Sequence, residues 1–211
     1  MNRMYLVLLF LCLFLLASCD ETPVCDDDET LEDGACVPID DRTIALREAI
    51  ETMQGLNSFR LSVELSRGEE QQTMDLAFDD DRSWFEVDDY REYYERTADG
   101  CFEYVPTTDG YLKESYDCSH EPALFYLDFS SDMFTYIDQA YYLDYQHLDR
   151  VSAFFKTEMA GSTASNFVLT VADGYFDRFN LDVNHDGAIW NVTMAFSDFD
   201  SVEIDLEEVA S

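Results

Sequence analysis

The stretch Ser58-Phe59-Arg60-Leu61-Ser62-Val63-Glu64-Leu65-Ser66 alternates apolar and polar side chains without a break. Successive side chains of a β-strand point to opposite faces, so the apolar ones here fall on one face. The segment Thr73 to Asp79 repeats the pattern after a turn at Arg67-Gly68-Glu69. The two segments predict an antiparallel hairpin with one buried face and one face in water.

Further strand segments follow this hairpin along the chain. Alternation, or enrichment in β-branched and aromatic residues between polar turns, predicts strands at 83–87, 90–96, 101–105, 110–116, 166–171, 175–183, 190–196 and 202–206. The section from His120 to Phe155 is rich in aromatic residues without one clean period, and it suggests helical turns at 130–134 and 148–155. We expect most of these aromatic residues to fill a core.

An amphipathic helix is predicted before the first hairpin. Asp41 or Thr43 can cap its start, and Gly55 can end it in a left-handed conformation. A helix with one apolar face needs a partner surface, so we expect it to pack on the sheet. The predicted face comprises Ile44, Leu46, Arg47 through its stem, Ala49, Ile50 and Met53.

Residues 1–18 are predicted to be an export signal. Arg3 supplies a positive charge, and residues 5–16 form an apolar run that is too short to span a bilayer. Leu16-Ala17-Ser18-Cys19 resembles the lipobox of bacterial lipoproteins. This resemblance implies a lipoprotein signal peptide, cleavage before Cys19 and palmitate-type acylation of its thiol. It places the protein, lipid-anchored and extracytoplasmic, at the outer face of the cytoplasmic membrane. An ordinary signal peptide and a short uncleaved anchor are the alternatives.

Four cysteines remain once the signal and Cys19 are set aside. Three pairings are open to them, and proximity in sequence favours disulfides joining Cys25 to Cys36 and Cys101 to Cys118. A zinc site would need closer spacing, such as Cys-x-x-Cys. Residues 19–41 are polar and acidic, so we interpret them as a tether that contains a small disulfide loop, followed by one folded domain over 42–211.

The charge balance excludes some classes of partner. The chain has 46 Asp and Glu against 12 Lys and Arg, for a formal net charge of -34. Binding to nucleic acid or to an anionic lipid surface needs clustered basic residues, so neither is expected. The acidity does not indicate disorder, because 47% of the residues are hydrophobic and can form a core.

The order of these elements resembles a known group of surface lipoproteins. A lipobox, an acidic tether, one helix and long antiparallel strands, ending in 194–199 and 202–205, are similar to the lipoprotein-carrier-like (LolA/LppX-like) group. The resemblance covers roughly 43–206. It implies an α+β fold: a strongly curved, mainly antiparallel sheet, or incomplete barrel, packed on the N-terminal helix. It also implies an apolar cavity for acyl chains. Two predicted disulfides and little helix for a lid depart from the group, so filling of the cavity by the chain's own aromatic residues is an alternative.

The function that we expect is binding of an apolar ligand, a lipid or a lipoprotein acyl chain, on the concave face of the sheet. Burial of apolar surface supplies about 25 cal/mol per Å² for such binding. The predicted lining residues are Phe59, Leu61, Val63, Leu65, Met74, Leu76, Phe78, Phe179, Leu181, Val183, Trp190, Val192, Met194 and Phe196.

A cell-surface interaction module, which binds a protein or a glycan, is the alternative. It would be favoured by one exposed patch formed by Tyr90, Tyr93, Tyr94, Tyr141 and Tyr142. An enzyme is not expected, because the three histidines are scattered and no nucleophile elbow or phosphate-binding glycine loop occurs.

No cofactor is expected, and calcium is the alternative at one loop. Asp182, Asn184, Asp186 and Gly187 match the first half of a calcium-binding loop. Thr193, however, stands where a bidentate Glu should close the shell, and the flanks are predicted strands. Asn-His-Asp-Gly also suits a hairpin connection.

Overall fold

The computed structural model describes residues 25, 29–32, 35–118, 128–158, 161–206 and 209. The lipobox with Cys19, and His120, lie outside these residues. The chain divides into two compact units, residues 1–44 and 45–211.

The first unit contains a short hairpin that the sequence had not indicated. Strand β1 (Glu29–Glu32) pairs with β2 (Ala35–Pro38) in antiparallel register. Cys25 is bonded to Cys36, which confirms the predicted pairing in the acidic tether.

The second unit is built on one antiparallel sheet, which has eleven strands among the described residues. In spatial order the strands run β8-β7-β6-β5-β4-β3-β13-β12-β11-β10-β9, so β8 and β9 are the two edges and the sheet does not close. This open sheet with few helices confirms the predicted fold class. The strands are β3 (Ser58–Arg67), β4 (Glu70–Asp79), β5 (Arg82–Val87), β6 (Tyr90–Thr97), β7 (Gly100–Thr107), β8 (Gly110–Tyr116), β9 (Phe134–Ile137), β10 (Ala140–Leu143), β11 (Thr163–Ala172), β12 (Tyr175–His185) and β13 (Ala188–Ser197).

Two consecutive meanders make up this sheet. Strands β3 to β8 form the first and β9 to β13 the second, and each strand pairs with its neighbour in sequence. The meanders join where β3 pairs with β13, which places Val63 opposite Met194. We call the side that carries Phe59, Leu61 and Val63 the inner face and the opposite side the outer face.

Helix α1 (Asp41–Gln54) confirms the predicted N-terminal helix but not its details. The cap is Asp40, whose carboxylate accepts hydrogen bonds from the Arg42 amide and the Thr43 hydroxyl. Gly55 does not adopt the predicted left-handed conformation. The buried residues, Leu46, Ala49, Ile50 and Met53, all belong to the predicted face, whereas Ile44 and Arg47 of that face are only half-buried.

The aromatic-rich middle section differs most from expectation. The predicted turn at 130–134 is a 3₁₀ segment at Ser131–Met133, and 148–155 is part of a full helix α2 (Leu148–Glu158). The β9–β10 hairpin between them was missed. No helix in the described part of the chain is both long and apolar enough to cross a membrane.

The main core lies on the inner face and is rich in phenylalanine. The rings of Phe167 and Phe179 have centroids 5.0 Å apart, and those of Phe179 and Phe196 lie 4.9 Å apart. Apolar residues of α1 and α2, including the fully buried Val151, join this cluster. Of the aromatic residues in the middle section, Phe129, Tyr141 and Phe155 are buried in this core and Phe134 and Tyr136 pack against it, whereas Tyr142 and Tyr145 are exposed.

The predicted last strand, 202–206, is not a strand. This segment, with Val209, forms a C-terminal strap whose Ile204 and Leu206 are buried against Ala77 and Tyr104 on the outer face. Its backbone is held by side chains. The Ile204 amide donates to Asp79 Oδ2 at 2.9 Å, and Arg82 Nη1 donates to the Ile204 carbonyl at 3.0 Å.

Candidate functional site

The structure brings all fourteen predicted lining residues to the inner face. Across β3 and β4, Phe59 lies opposite Phe78, and Val63 lies opposite Met74. On the other side, Met194 of β13 lies between Val63 of β3 and Phe179 of β12. Since directly opposed residues point the same way, the register extends this face across the sheet.

Ten of the fourteen are closed inside the core rather than lining an open surface. None of the ten exposes more than 8% of its surface. They are Phe59, Leu61, Val63, Leu65, Phe179, Leu181, Val183, Val192, Met194 and Phe196. The other four, Met74, Leu76, Phe78 and Trp190, are only partly buried against that core.

Beyond β4, the inner face continues as a surface that the sequence did not single out. Phe85 lies opposite Leu76, and Val87 lies opposite Met74. Two strands further, Val105 lies opposite Leu112, which is 50% exposed. Phe85, Val87, Val105 and Leu112 belong to neither buried cluster of the described residues. We call Met74, Leu76, Phe85, Val87, Val105 and Leu112 the platform.

The signal for the platform lies in the hairpin register. The strands at 83–87 and 90–96 are predicted correctly, but alternation does not say which of their two faces stays in contact with water. The register of β5 with β4 directs Phe85 and Val87 to the inner face, and the turn at Asp88-Asp89 then places Tyr90 on the same face as Val87.

A polar rim crosses the platform on β6 to β8. The Tyr90 hydroxyl donates to one oxygen of Glu92, and the Tyr94 hydroxyl donates to the other at 2.5 Å. The hydrogen bond to Glu92 raises the pKa of Tyr90 to about 12. Burial, followed by the hydrogen bond to Glu92, raises the pKa of Tyr94 further. Both phenols therefore remain neutral donors at physiological pH.

Two more carboxylates complete this rim. Glu103 lies opposite Tyr94 on one side and opposite Glu114 on the other. The ring of Tyr94 also meets that of Tyr116 edge-on at 5.8 Å. We define the rim as Tyr90, Glu92, Tyr94, Glu103 and Glu114.

The five tyrosines whose exposure in one patch would favour the interaction module do not form one patch. Tyr90 and Tyr94 are on the inner face of β6, whereas Tyr93 is on its outer face, where its ring meets Tyr111 at 5.4 Å. Tyr141 is buried in the core on β10, and its exposed neighbour Tyr142 is seven strands away from β6 in the sheet.

The predicted calcium loop is a hairpin turn between β12 and β13. Asp186 and Gly187 have φ values of 51° and 78°, which suit a two-residue turn. The Asp182 carboxylate accepts the side-chain amides of Asn166 and Asn191, each at 2.6 Å. The part of the chain that the structure describes contains no group of three His, Cys, Asp or Glu placed to hold a metal ion.

A cleft of about 480 Å³ lies on the outer face beside the C-terminal strap. Its walls are polar. Arg91 lies 4.5 Å from the ring centre of Trp84 and pairs with Glu86, and Arg60 pairs with Asp198 at 3.3 Å. Both arginines that line this cleft are thus paired with carboxylates of the same cleft.

Ser162 and His185 form a hydrogen-bonded pair between side chains. The Ser162 hydroxyl lies 3.1 Å from His185 Nδ1, but Ser162 is fully buried. A nucleophile must reach its substrate, so this pair serves packing rather than catalysis.

Comparison with solved structures shows a likeness of fold to two mycobacterial lipoproteins. Lipoprotein LppX of Mycobacterium tuberculosis aligns with a TM-score of 0.41 and 10% identity, over 79% of this chain and 100% of that chain. LprF from Mycobacterium bovis aligns with a TM-score of 0.41 and 12% identity, over 77% of this chain and 94% of that chain. No protein-family model matches the chain, and no curated protein sequence matches it.

Proposed function

We propose that this protein is a lipid-anchored extracytoplasmic lipoprotein, not an enzyme, that binds an apolar ligand such as a lipid or an acyl chain. The ligand lies on the platform, at the uncovered end of the inner face. The membrane attachment is through Cys19. The ten buried residues of the predicted lining belong to the core that adjoins the platform on the inner face.

The observation that carries this proposal is the continuity of apolar rows from the core onto a partly open surface. One row runs from Phe196 through Leu61 and Leu76 to Phe85 across adjacent strands. Its first two members are buried and its last two are partly exposed. A flexible chain laid along this row would remove the remaining apolar surface from water.

The gain from such contact is sufficient for binding. Complete burial of a Leu, Val, Phe or Met side chain contributes about 1.5–3 kcal/mol relative to full exposure. The platform side chains are about half-buried already, so several of them together offer a few kcal/mol. A chain of ten or more methylenes adds its own transfer free energy of about 0.8 kcal/mol per group.

Native mass spectrometry of the exported protein carrying C19S tests ligand binding without the anchor. Disulfides must be intact. We expect a co-purifying lipid mass that leaves on denaturation, and we expect F85E to remove it. The matched control is I189E, because Ile189 is 60% exposed and lies outside the platform.

Ligand binding would be refuted if the C19S protein, with both disulfides present, has a ligand-free mass and takes up no added fatty acid or lysolipid. The interaction module would then be the remaining hypothesis. Equal loss of lipid in F85E and I189E would also contradict the platform. The anchor has a separate test. The unaltered chain should incorporate labelled palmitate and lose residues 1–18, and C19S should do neither.

A further inference from the structure

We propose that a trough on the outer face binds a linear, uncharged oligosaccharide. The trough joins the cleft beside the C-terminal strap to a second cleft, which has a volume of about 740 Å³. Asp75 and Glu86 lie opposite each other on β4 and β5 and line both clefts, so the two clefts adjoin. The polar side chains of the trough do not belong to the platform, so saccharide binding here is independent of lipid binding there.

The second cleft exists because β5 is shorter than β4. Strand β5 ends at Val87, opposite Met74, whereas β4 extends back to Glu70. Among the described residues, the stretch 70–73 therefore pairs with β3 alone. The trough runs from the strap, across Asp75 and Glu86 and past this free edge of β4, to Trp190. Each cleft by itself has the volume of a small-molecule site, so the two in line suit a chain of linked rings.

The charges in the trough argue against an ionic ligand. Arg60 pairs with Asp198 at 3.3 Å, and Arg91 pairs with Glu86. An anion would have to displace these carboxylates and would meet Asp75 as well, whereas a cation would meet both guanidinium groups. A hydroxyl group both donates and accepts hydrogen bonds, so a polyol can bridge an arginine and its carboxylate without separating them.

Uncharged hydrogen-bonding side chains line much of the remaining trough. Ser62 and Ser197 lie in the cleft beside the strap, and Gln71, Gln72 and Thr73 lie in the second cleft. Hydroxyl and amide groups offer donors and acceptors together. Those of the second cleft are exposed, so they are accessible to a ligand. This mixture matches the many hydroxyl groups of a saccharide better than it matches an apolar chain.

A tryptophan lies at each end of the trough. Trp84 lines the cleft beside the strap, Trp190 lines the second cleft, and both are half-buried. The Arg91 and Arg67 guanidinium groups lie 4.5 Å and 4.6 Å from the respective ring centres, which fixes the position of the rings. A tryptophan combines a large apolar ring with a polar N–H group. The apolar C–H face of a sugar ring can therefore pack on each end.

The test uses neutral hexasaccharides and the two tryptophans of the chain as reporters. Maltohexaose, laminarihexaose, chitohexaose and xylohexaose are titrated into the exported C19S protein at physiological salt. Binding is followed by calorimetry and by the two indole N–H signals in proton–nitrogen NMR spectra, which W190F assigns. We expect one or more hexasaccharides to shift both indole signals. The same hexasaccharide should bind at least about tenfold more tightly than its disaccharide, because it contacts both clefts.

Two matched variants test the position of the site. D75N changes a carboxylate that lines both clefts, and we expect it to weaken hexasaccharide binding about tenfold. It should not lower the melting temperature, because Asp75 opposes Glu86 and like charges in that position destabilise a sheet. E64Q makes the corresponding change at an exposed residue of the same face outside the trough and should leave binding unchanged. Equal losses in D75N and E64Q would contradict the trough.

The charged probes hexalysine and hexagalacturonate complete the experiment. We expect neither to bind as tightly as the best neutral hexasaccharide. The proposal is wrong if none of the four neutral hexasaccharides binds, or if hexalysine binds more tightly than all of them, since the trough would then suit a basic peptide. A shift of one indole signal alone would overturn the continuous trough. None of these outcomes bears on lipid binding at the platform, which the mass measurement of the C19S protein tests separately.

Discussion

Replacing Ile204 of the C-terminal strap by Ala should measurably destabilise the fold. Ile204 is 2% exposed and packs with Ala77 and Tyr104 on the outer face. The change removes three methyl or methylene groups, worth about 2.4 kcal/mol at about 0.8 kcal/mol each. A residual cavity adds to this, so we expect a loss of about 2–4 kcal/mol.

Urea denaturation followed by circular dichroism, with disulfides intact, measures this loss. The control is I189A, the same chemical change at a residue that is 60% exposed, where we expect no more than about 0.5 kcal/mol. Equal losses in I204A and I189A would refute the assignment of the strap to a buried position.

Hydrogen exchange tells whether the strap detaches on its own. The amides of Val202 and Ile204 donate to Ser58 Oγ and Asp79 Oδ2. If the strap opens locally, the measured loss in I204A cannot exceed the free energy that holds the strap closed. In that case these two amides should exchange faster than the β3 amides in the unaltered protein. Exchange at equal rates would mean that strap and sheet unfold together.

Three further predictions concern the disulfide, the rim and the β12–β13 hairpin. C101A/C118A should lose about 3 kcal/mol in urea denaturation, because the bridge closes a loop with a sequence separation of 17, and a loss below 1 kcal/mol would show that the bridge adds little constraint. Since the pKa of Tyr90 is raised to about 12, its neutral form stabilises the fold fully below pH about 10, and this contribution is lost as the pH rises through about 12. In E92Q the Tyr90 titration followed by NMR should move down towards pH 10, and an unchanged midpoint would contradict the hydrogen bond as its cause. D182A should cost about 1 kcal/mol with or without calcium, and a calcium-dependent rise in melting temperature that D182A abolishes would instead support the metal loop.

Strand alternation predicted the centre of the sheet accurately because one face there packs against the core and the other contacts water. From Phe59 to Leu65, every apolar residue is buried, and the polar residues between them are exposed or half-buried. The same reasoning failed at the strap. Ile204 and Leu206 are buried, as alternation indicates. The backbone amide and carbonyl of Ile204, however, form hydrogen bonds with the side chains of Asp79 and Arg82 and not with a neighbouring strand. Alternation therefore identifies buried side chains and not a strand partner.

The missed β9–β10 hairpin has a different physical cause. Its turn is Asp138-Gln139, with φ values of 49° and 68°. Two non-glycine residues at positive φ are uncommon, so the sequence carries no recognisable turn signal there. Tyr141 then becomes a core residue, although neighbouring tyrosines suggested a surface patch.

The candidate site was predicted in its orientation but not in its exposure. Placing Leu61, Leu76 and Met194 on one face needs only the period of a strand. Whether a helix covers that face depends on distant contacts, which bury Leu61 and Met194 and leave Leu76 partly open. The open part extends to Phe85, which the alternation in β5 alone did not assign to either face.

The seam between β3 and β13 has a consequence for how the protein folds. Every other strand pair of the sheet joins consecutive strands, so each meander can form from local contacts as it emerges. Strand β3 emerges early, yet its partner β13 is almost the last element to be synthesised. Until then, β3 presents an unpaired apolar edge that can recruit other chains. Closure of the seam should therefore be a late step in folding, and a chaperone that shields β3 would protect the newly synthesised chain.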